Sequence, residues 1–132
     1  MPDRFTITTI LEAPPKRVYD AWMSSRDHGA FTGDTADIDP RVGGAHSAFS
    51  GYITGKTLEL VPFRRIVQTW RATEFPEGSP DSRLELTFED LKGKTRLTLI
   101  HSEIPDGQGP QFEEGWRENY LRPMAAYFKA HA

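Results

Sequence analysis

Few residue types in this sequence could support covalent or acid–base chemistry. Cysteine is absent, which removes disulfides, thiolate metal sites and thiol nucleophiles by counting alone. Four histidines occur, His28, His46, His101 and His131. They are widely separated and show none of the paired spacings that present ligands to zinc, so no metal site is expected. His101 ends an alternating run, Thr95, Leu97, Leu99, His101, which puts it on the inward side of a strand, where an imidazole can carry a proton or orient a ligand. His46 has the same two readings, hydrogen-bonded strand residue or pocket donor. His28 falls in a loop-like segment and His131 at the chain end, where solvation is expected. Ser47, Ser50 and Ser102 lie near the same strands, yet none occupies an elbow between a strand and a helix. Gly43-Gly44 opens no phosphate-cradling loop, because no Lys-Ser or Lys-Thr follows and the next segment alternates like a strand. Glu59, Glu85 and Glu89 sit on outward strand phases. Glu113 and Glu114 sit in the first turn of the last helix, where negative charge complements the dipole. No catalytic residue and no cofactor is expected from this inventory; it suits binding better than catalysis.

Composition narrows the partners. Sixteen Lys and Arg against 19 Asp and Glu leave a net charge of −3, and a nucleic-acid backbone is bound by a concentrated positive patch, so no nucleic-acid partner is expected. The opening MPDRFTITT lacks the apolar core of a signal peptide, and no stretch approaches the ~20 apolar residues of a membrane span. A cytoplasmic location is the expectation. With 37% hydrophobic and 27% charged residues, the chain has the composition of an ordered domain, and no linker or repeat divides residues 1–132.

The candidate residues need elements to position them. FTITTILE from Phe5 to Glu12 alternates and is rich in β-branched residues, so it predicts a strand. Pro15 suits a first helical turn, and Val18, Ala21 and Trp22 follow at helical spacing up to Ser24 and Ser25. Beyond Arg26 the Gly- and Asp-rich stretch predicts one further helical turn, then loop with a short strand at Ala36–Asp39. Strands are predicted over Ala45–Phe49, Ile53–Val61 and Arg65–Ala72, with Leu58 and Leu60 sharing a face in the second. SRLELTFED turns Leu84, Leu86 and Phe88 inward, and Lys92-Gly93 marks the hairpin to a last strand. After Pro110 the period changes to helical. Phe112, Trp116, Tyr120, Pro123 and Tyr127 form one stripe, and Leu121, Met124 and Phe128 the stripe beside it. Together they cover about half the circumference, wider than a helix on a flat sheet needs. Pro123 should bend this helix locally. Strand, short helices, a meander of six to seven strands and a long C-terminal helix make an α+β chain, with a curved antiparallel sheet around the terminal helix.

VGGAHSAFSGYITGKTLELVPFRRIVQTWR, TRLTLIHSEIP and EEGWRENYLRPMAAYF carry a further signal. In the order of Gly43-Gly44, Gly51, Gly55, the ELVP turn, Trp70-Arg71 and Gly115-Trp116 they resemble the C-terminal domain of the activator of the heat-shock protein 90 ATPase. That domain belongs to the START-like, or SRPBCC, superfamily with its helix-grip fold. The separate N-terminal domain of such activators carries an Asn- and Trp-rich signature, which does not occur among these 132 residues.

The resemblance implies a cavity between sheet and terminal helix that holds a small apolar or amphipathic molecule, with a link to stress responses. The residues offered for its wall are Phe49, Leu58, Leu60, Trp70, Leu84, Leu86, Phe88, Leu97 and Leu99 from the strands, and Phe112, Trp116 and Tyr120 from the helix, with His101 at the mouth. Gly115, which costs about 1 kcal/mol of helix propensity relative to alanine, suggests close approach of a backbone or a ligand. A second reading is a chaperone-associated interaction module, monomer or homodimer, using a rim near Phe63, Arg64 and Phe75. A third is a polyketide cyclase or dehydratase with His101 as acid or base, which requires a second ionisable group within hydrogen-bond reach of it.

Overall fold

The computed structural model describes residues 2–131. β6 (Ser82–Leu91) and β7 (Lys94–Ile104) pair antiparallel across Lys92-Gly93. Both turn residues have positive φ, 55° and 90°, a geometry whose twist matches that of the strands. β1 (Asp3–Leu11) lies on the far side of β7. β5 (Arg65–Ala72), β4 (Ile53–Val61), β3 (Ala45–Ala48) and β2 (Asp37–Ile38) continue outward from β6. The result is one antiparallel sheet of seven strands in the order β1-β7-β6-β5-β4-β3-β2. Two short helices, α1 (Pro15–Trp22) and α2 (Ser25–Thr32), connect β1 to β2. α1 starts on Pro15, and α2 is capped by the Ser24 hydroxyl, which accepts from the Asp27 N–H at 3.2 Å. α2 is thus two full turns where one was expected.

The C-terminal helix is gripped by the sheet. It consists of α3 (Gly109–Trp116), a π-helical turn (Arg117–Leu121) and α4 (Arg122–Ala130). Its start is capped from β1, where the Asp3 carboxylate accepts from the N–H groups of Gly107 and Gly109 at 3.0 and 2.8 Å. The buried residues Phe112, Trp116, Tyr120, Met124 and Phe128 recur every four positions. On an α-helix of 3.6 residues per turn such a row drifts by about 40° at each step. The wider π turn takes up that drift and keeps the row facing the sheet. It ends just before Pro123, so the N–H that proline lacks falls at the start of α4.

β4 departs from the expected alternation. Its register to β5 shifts between Thr57 and Glu59, so Leu58 is the extra residue of a β-bulge and turns outward, 48% exposed. Leu58 therefore does not share an inward face with Leu60. Thr57, which the alternation had put outside, is fully buried, and Leu60 resumes the inward phase by pairing with Ile66. Earlier in the same strand, Gly55 stands opposite His46, and the His46 imidazole crosses over it to the Thr69 carbonyl, Nε2 to O 2.8 Å. A Cβ at Gly55 would overlap both Thr69 O and His46 Nε2.

This register separates two neighbouring substitutions. Gly55→Ala should lose about 2 kcal/mol or more, because the methyl has nowhere to go, whereas Leu58→Thr should change stability by no more than about 0.5 kcal/mol. Urea midpoints of the two variants measure this, and similar losses at both positions would contradict the bulge.

Candidate functional site

Where the β3–β4 turn and the loop after β5 meet the exposed side of α3, the surface sinks into a recess of about 240 Å³. Its wall carries six aromatic rings, Phe49, Tyr52, Trp70, Phe112, Trp116 and Tyr120, together with Ile53 and Gly115; Glu74, Gln111 and Asn119 supply the polar groups. Tyr120 is the hinge of the wall: Trp116 stacks on it at 4.4 Å between centroids, and Phe49 meets it edge-on at 5.3 Å.

The turn that places Phe49 is conformationally costly. Phe49, Ser50 and Gly51 all have positive φ, 52°, 57° and 90°, a region that a non-glycine residue enters at a cost of about 1–2 kcal/mol. It is held by the α2–β2 loop, where the Ser50 hydroxyl donates to Asp34 Oδ1 at 2.6 Å and the Ser50 N–H to the Thr35 carbonyl at 3.2 Å. At the rim, Gln111 Nε2 donates to Glu74 Oε2 at 2.9 Å, and Gln108 Nε2 to the Glu74 carbonyl at 3.2 Å. The Tyr52 hydroxyl also bonds Glu74. Burial first, then that hydrogen bond and the carboxylate's charge, raise the Tyr52 pKa, so it stays protonated and donates.

Of the residues the sequence offered for the wall, Phe49, Trp70, Phe112, Trp116 and Tyr120 are brought together here. Leu84, Leu86, Phe88, Leu97 and Leu99 do face inward, but they are packed into the core away from the recess. Leu60 is partly buried against that core, and Leu58 lies outside. Tyr52, Ile53, Glu74, Gln111 and Asn119 were missed. Gly115 is the one residue whose signal in the sequence, an unexplained helix-weakening glycine, pointed here. Phe75, proposed for an exposed rim, is buried against Trp70 and Phe112 at 5.9 and 5.6 Å.

His28, His46 and His101 are buried and their tautomers are fixed by hydrogen bonds, whereas His131 is exposed. Trp116 Nε1 donates to His101 Nδ1 at 3.0 Å, so His101 carries its proton on Nε2 and donates to Ser82 Oγ at 2.7 Å, while Ser82 donates to the Trp70 carbonyl at 2.7 Å. His28, expected in solvent, is 4% exposed. Its Nδ1 donates to the Trp22 carbonyl and its Nε2 accepts from the Tyr120 hydroxyl, both at 3.0 Å. The chain continues from Trp22 Nε1 to Gln68 and from Gln68 to Thr57. His101 thus has a serine and a tryptophan as its partners, where acid–base catalysis needs a second ionisable group. Among the described residues, no three His, Asp or Glu side chains gather as metal ligands, and no helix is long and apolar enough to cross a membrane.

Burial holds His28 and His101 neutral, lowering their pKa values from 6.5 to about 4 and about 3. The unfolded chain takes up these protons first, so their stabilisation is complete above pH 6.5 and is lost as the pH falls below it. Each costs about 1.4 kcal/mol per pH unit in that window. Burial alone would raise Asp27, but Tyr127, Arg17 and Arg26 outweigh it and hold it below 3.8, so its own loss begins at lower pH. The urea midpoint should be flat from pH 8 to 7 and fall steadily from 6.5 to 4.5; no fall across that range would refute the neutral buried pair.

Comparison with known proteins places this geometry. The family model described as "Activator of Hsp90 ATPase homolog 1-like protein" matches residues 12–129. The activator of 90 kDa heat shock protein ATPase homolog of Dictyostelium discoideum is 32% identical over 111 residues, 83% of this chain and 29% of its own length. The human homolog 1 is 27% identical over 125 residues, 95% of this chain and 37% of its own. The chain therefore spans about a third of the length of these curated relatives. Among solved structures, an HSP90 activator from Plasmodium falciparum has a TM-score of 0.86 at 28% identity and 94% coverage of both chains. A Chromobacterium violaceum protein has a TM-score of 0.77 at 30% identity, covering 97% of this chain and 98% of that one. Sheet order, gripped helix and matched sequence agree: the chain belongs to the Activator of Hsp90 ATPase homolog 1-like family.

Proposed function

We propose that the chain is a non-catalytic START-like binding domain whose recess takes a small apolar or amphipathic molecule. The observation that carries this reading is Gly115. A glycine within a helix costs about 1 kcal/mol relative to alanine, and the usual reason is close packing against another backbone. Here a Cβ would meet only Asn119 Nδ2, at 3.9 Å, so internal packing does not require it. What a side chain there would occupy is the recess itself. Phe49, held in a left-handed conformation at the opposite wall, is a second local cost at the same place. The volume of about 240 Å³ suits a single substituted ring, since an apolar cavity of about 150 Å³ admits benzene.

A second reading, an interaction module for a heat-shock protein 90 homologue, is favoured by one observation: a solved chain of nearly the same extent is described as an HSP90 activator. The two readings predict different things. Gly115→Ala should raise stability by about 1 kcal/mol, and Gly115→Leu should fold, fill the recess and abolish the changes in tryptophan fluorescence that single-ring probes cause through Trp70 and Trp116. A full panel of such probes without effect on the wild-type protein would refute the ligand reading. For the chaperone reading, the purified chain should raise the ATPase rate of the homologue from its own source, and an unchanged rate together with no complex on gel filtration would exclude it.

A further inference from the structure

We infer that the recess selects a small organic cation, an ammonium centre carrying apolar substituents, over neutral and anionic molecules of the same shape. This deepens the reading of the recess as a ligand site and rests on it. The inference comes from the charge of the wall. Phe49 and Tyr52, the partly exposed rings of an otherwise buried aromatic wall, attract an alkylated ammonium more than they attract a hydrocarbon. The wall contains one ionisable carboxylate, Glu74, and no lysine, arginine or histidine. The groups that hold Glu74 are neutral, the Tyr52 phenol and the Gln111 amide. They orient the carboxylate without cancelling its charge.

Each class of guest meets this wall differently. A neutral apolar guest takes water away from Glu74 and returns nothing for it. An anion meets both the carboxylate and the ring quadrupoles unfavourably. A cation whose charge is spread over methyl groups keeps its apolar contact with Phe49 and Tyr52 and adds attraction to the Glu74 carboxylate at the rim. A strongly hydrated ion such as ammonium or a divalent metal has no reason to enter, because the wall offers a single carboxylate and no set of hard ligands.

The test compares phenyltrimethylammonium with its uncharged isostere tert-butylbenzene and with benzoate, by calorimetry and tryptophan fluorescence on the full chain. The cation should bind about tenfold more tightly than the isostere, and benzoate should bind least. In Glu74→Gln, a change at an exposed side chain, that preference should shrink toward parity. Binding of the cation should vanish in Gly115→Leu. Equal or tighter binding of tert-butylbenzene to the wild-type protein overturns the cation inference and leaves the recess reading standing. Cation binding that survives Gly115→Leu also overturns it, since the ion then sits elsewhere. If neither the cation nor its isostere binds, both this inference and the ligand reading fail.

Discussion

The fold turns on how Trp116 is buried. An indole brings a large apolar area into the interior but carries one N–H that must not be stranded there. His101, on the β-strand across from it, accepts that hydrogen at 3.0 Å and hands its own to Ser82, which closes on the Trp70 carbonyl. Sheet and helix are thus joined at the centre by a directional chain of three bonds, surrounded by rings. On the other side of the same indole, Trp22 of α1 lies at 6.0 Å in a stacked arrangement. Its own N–H is satisfied by Gln68, while His28 takes the hydrogen of Tyr120. Two neutral imidazoles and one glutamine amide let three large aromatic side chains with polar tips pack in the same interior. The cost is that both imidazoles must remain uncharged.

That arrangement leaves His28 and His101 no free ring nitrogen. An acid–base histidine needs one nitrogen free to meet a substrate. In this chain both nitrogens of His101 and both of His28 are committed within the core. The recess lies on the outer side of the rings these bonds position. Trp116 and Tyr120 therefore belong to two systems at once, with their polar atoms turned inward to the histidines and their rings contributing to the wall. A core that fixes those rings also fixes the shape of the recess, the preorganisation that the proposed binding of a small guest would need.

Regular elements were legible because their physics is local. Alternation identified β6 and β7, Lys92-Gly93 identified the hairpin, Pro15 and Pro110 marked helix starts, and helical spacing after Pro110 marked the apolar side of the terminal helix, although Pro123 and Tyr127 of the expected stripe are only partly buried. The errors arise where a distant partner decides. Leu58 reads as inward only if β4 keeps its phase, and the bulge depends on how β4 registers against β5. His28 reads as solvated because its neighbours are polar, yet its partners are Trp22 O and the Tyr120 hydroxyl, the latter 92 positions away. Tyr52, Glu74, Gln111 and Asn119 escaped for a related reason. They belong to a turn, a loop and the exposed side of a helix, and it is the gripping of the helix that draws the three together.

Local costs are unevenly placed along the chain, and two of them meet at the recess. In the core, polar groups find partners and rings meet at ordinary distances, so each choice supports its neighbours. At the recess two choices run against local preference, glycine inside a helix at position 115 and a phenylalanine with φ of 52° at position 49. They are far apart in the sequence, one on the helix and one on the β3–β4 turn, and they converge on one hollow. No neighbouring atom requires glycine at 115, where a Cβ would meet only Asn119, and the strained Phe49 is anchored through Ser50, which bonds Asp34 and Thr35. Under the proposal that the recess takes a guest, a glycine at 115 that packing does not require and an anchored, strained Phe49 serve one end, since efficient self-packing alone would keep neither.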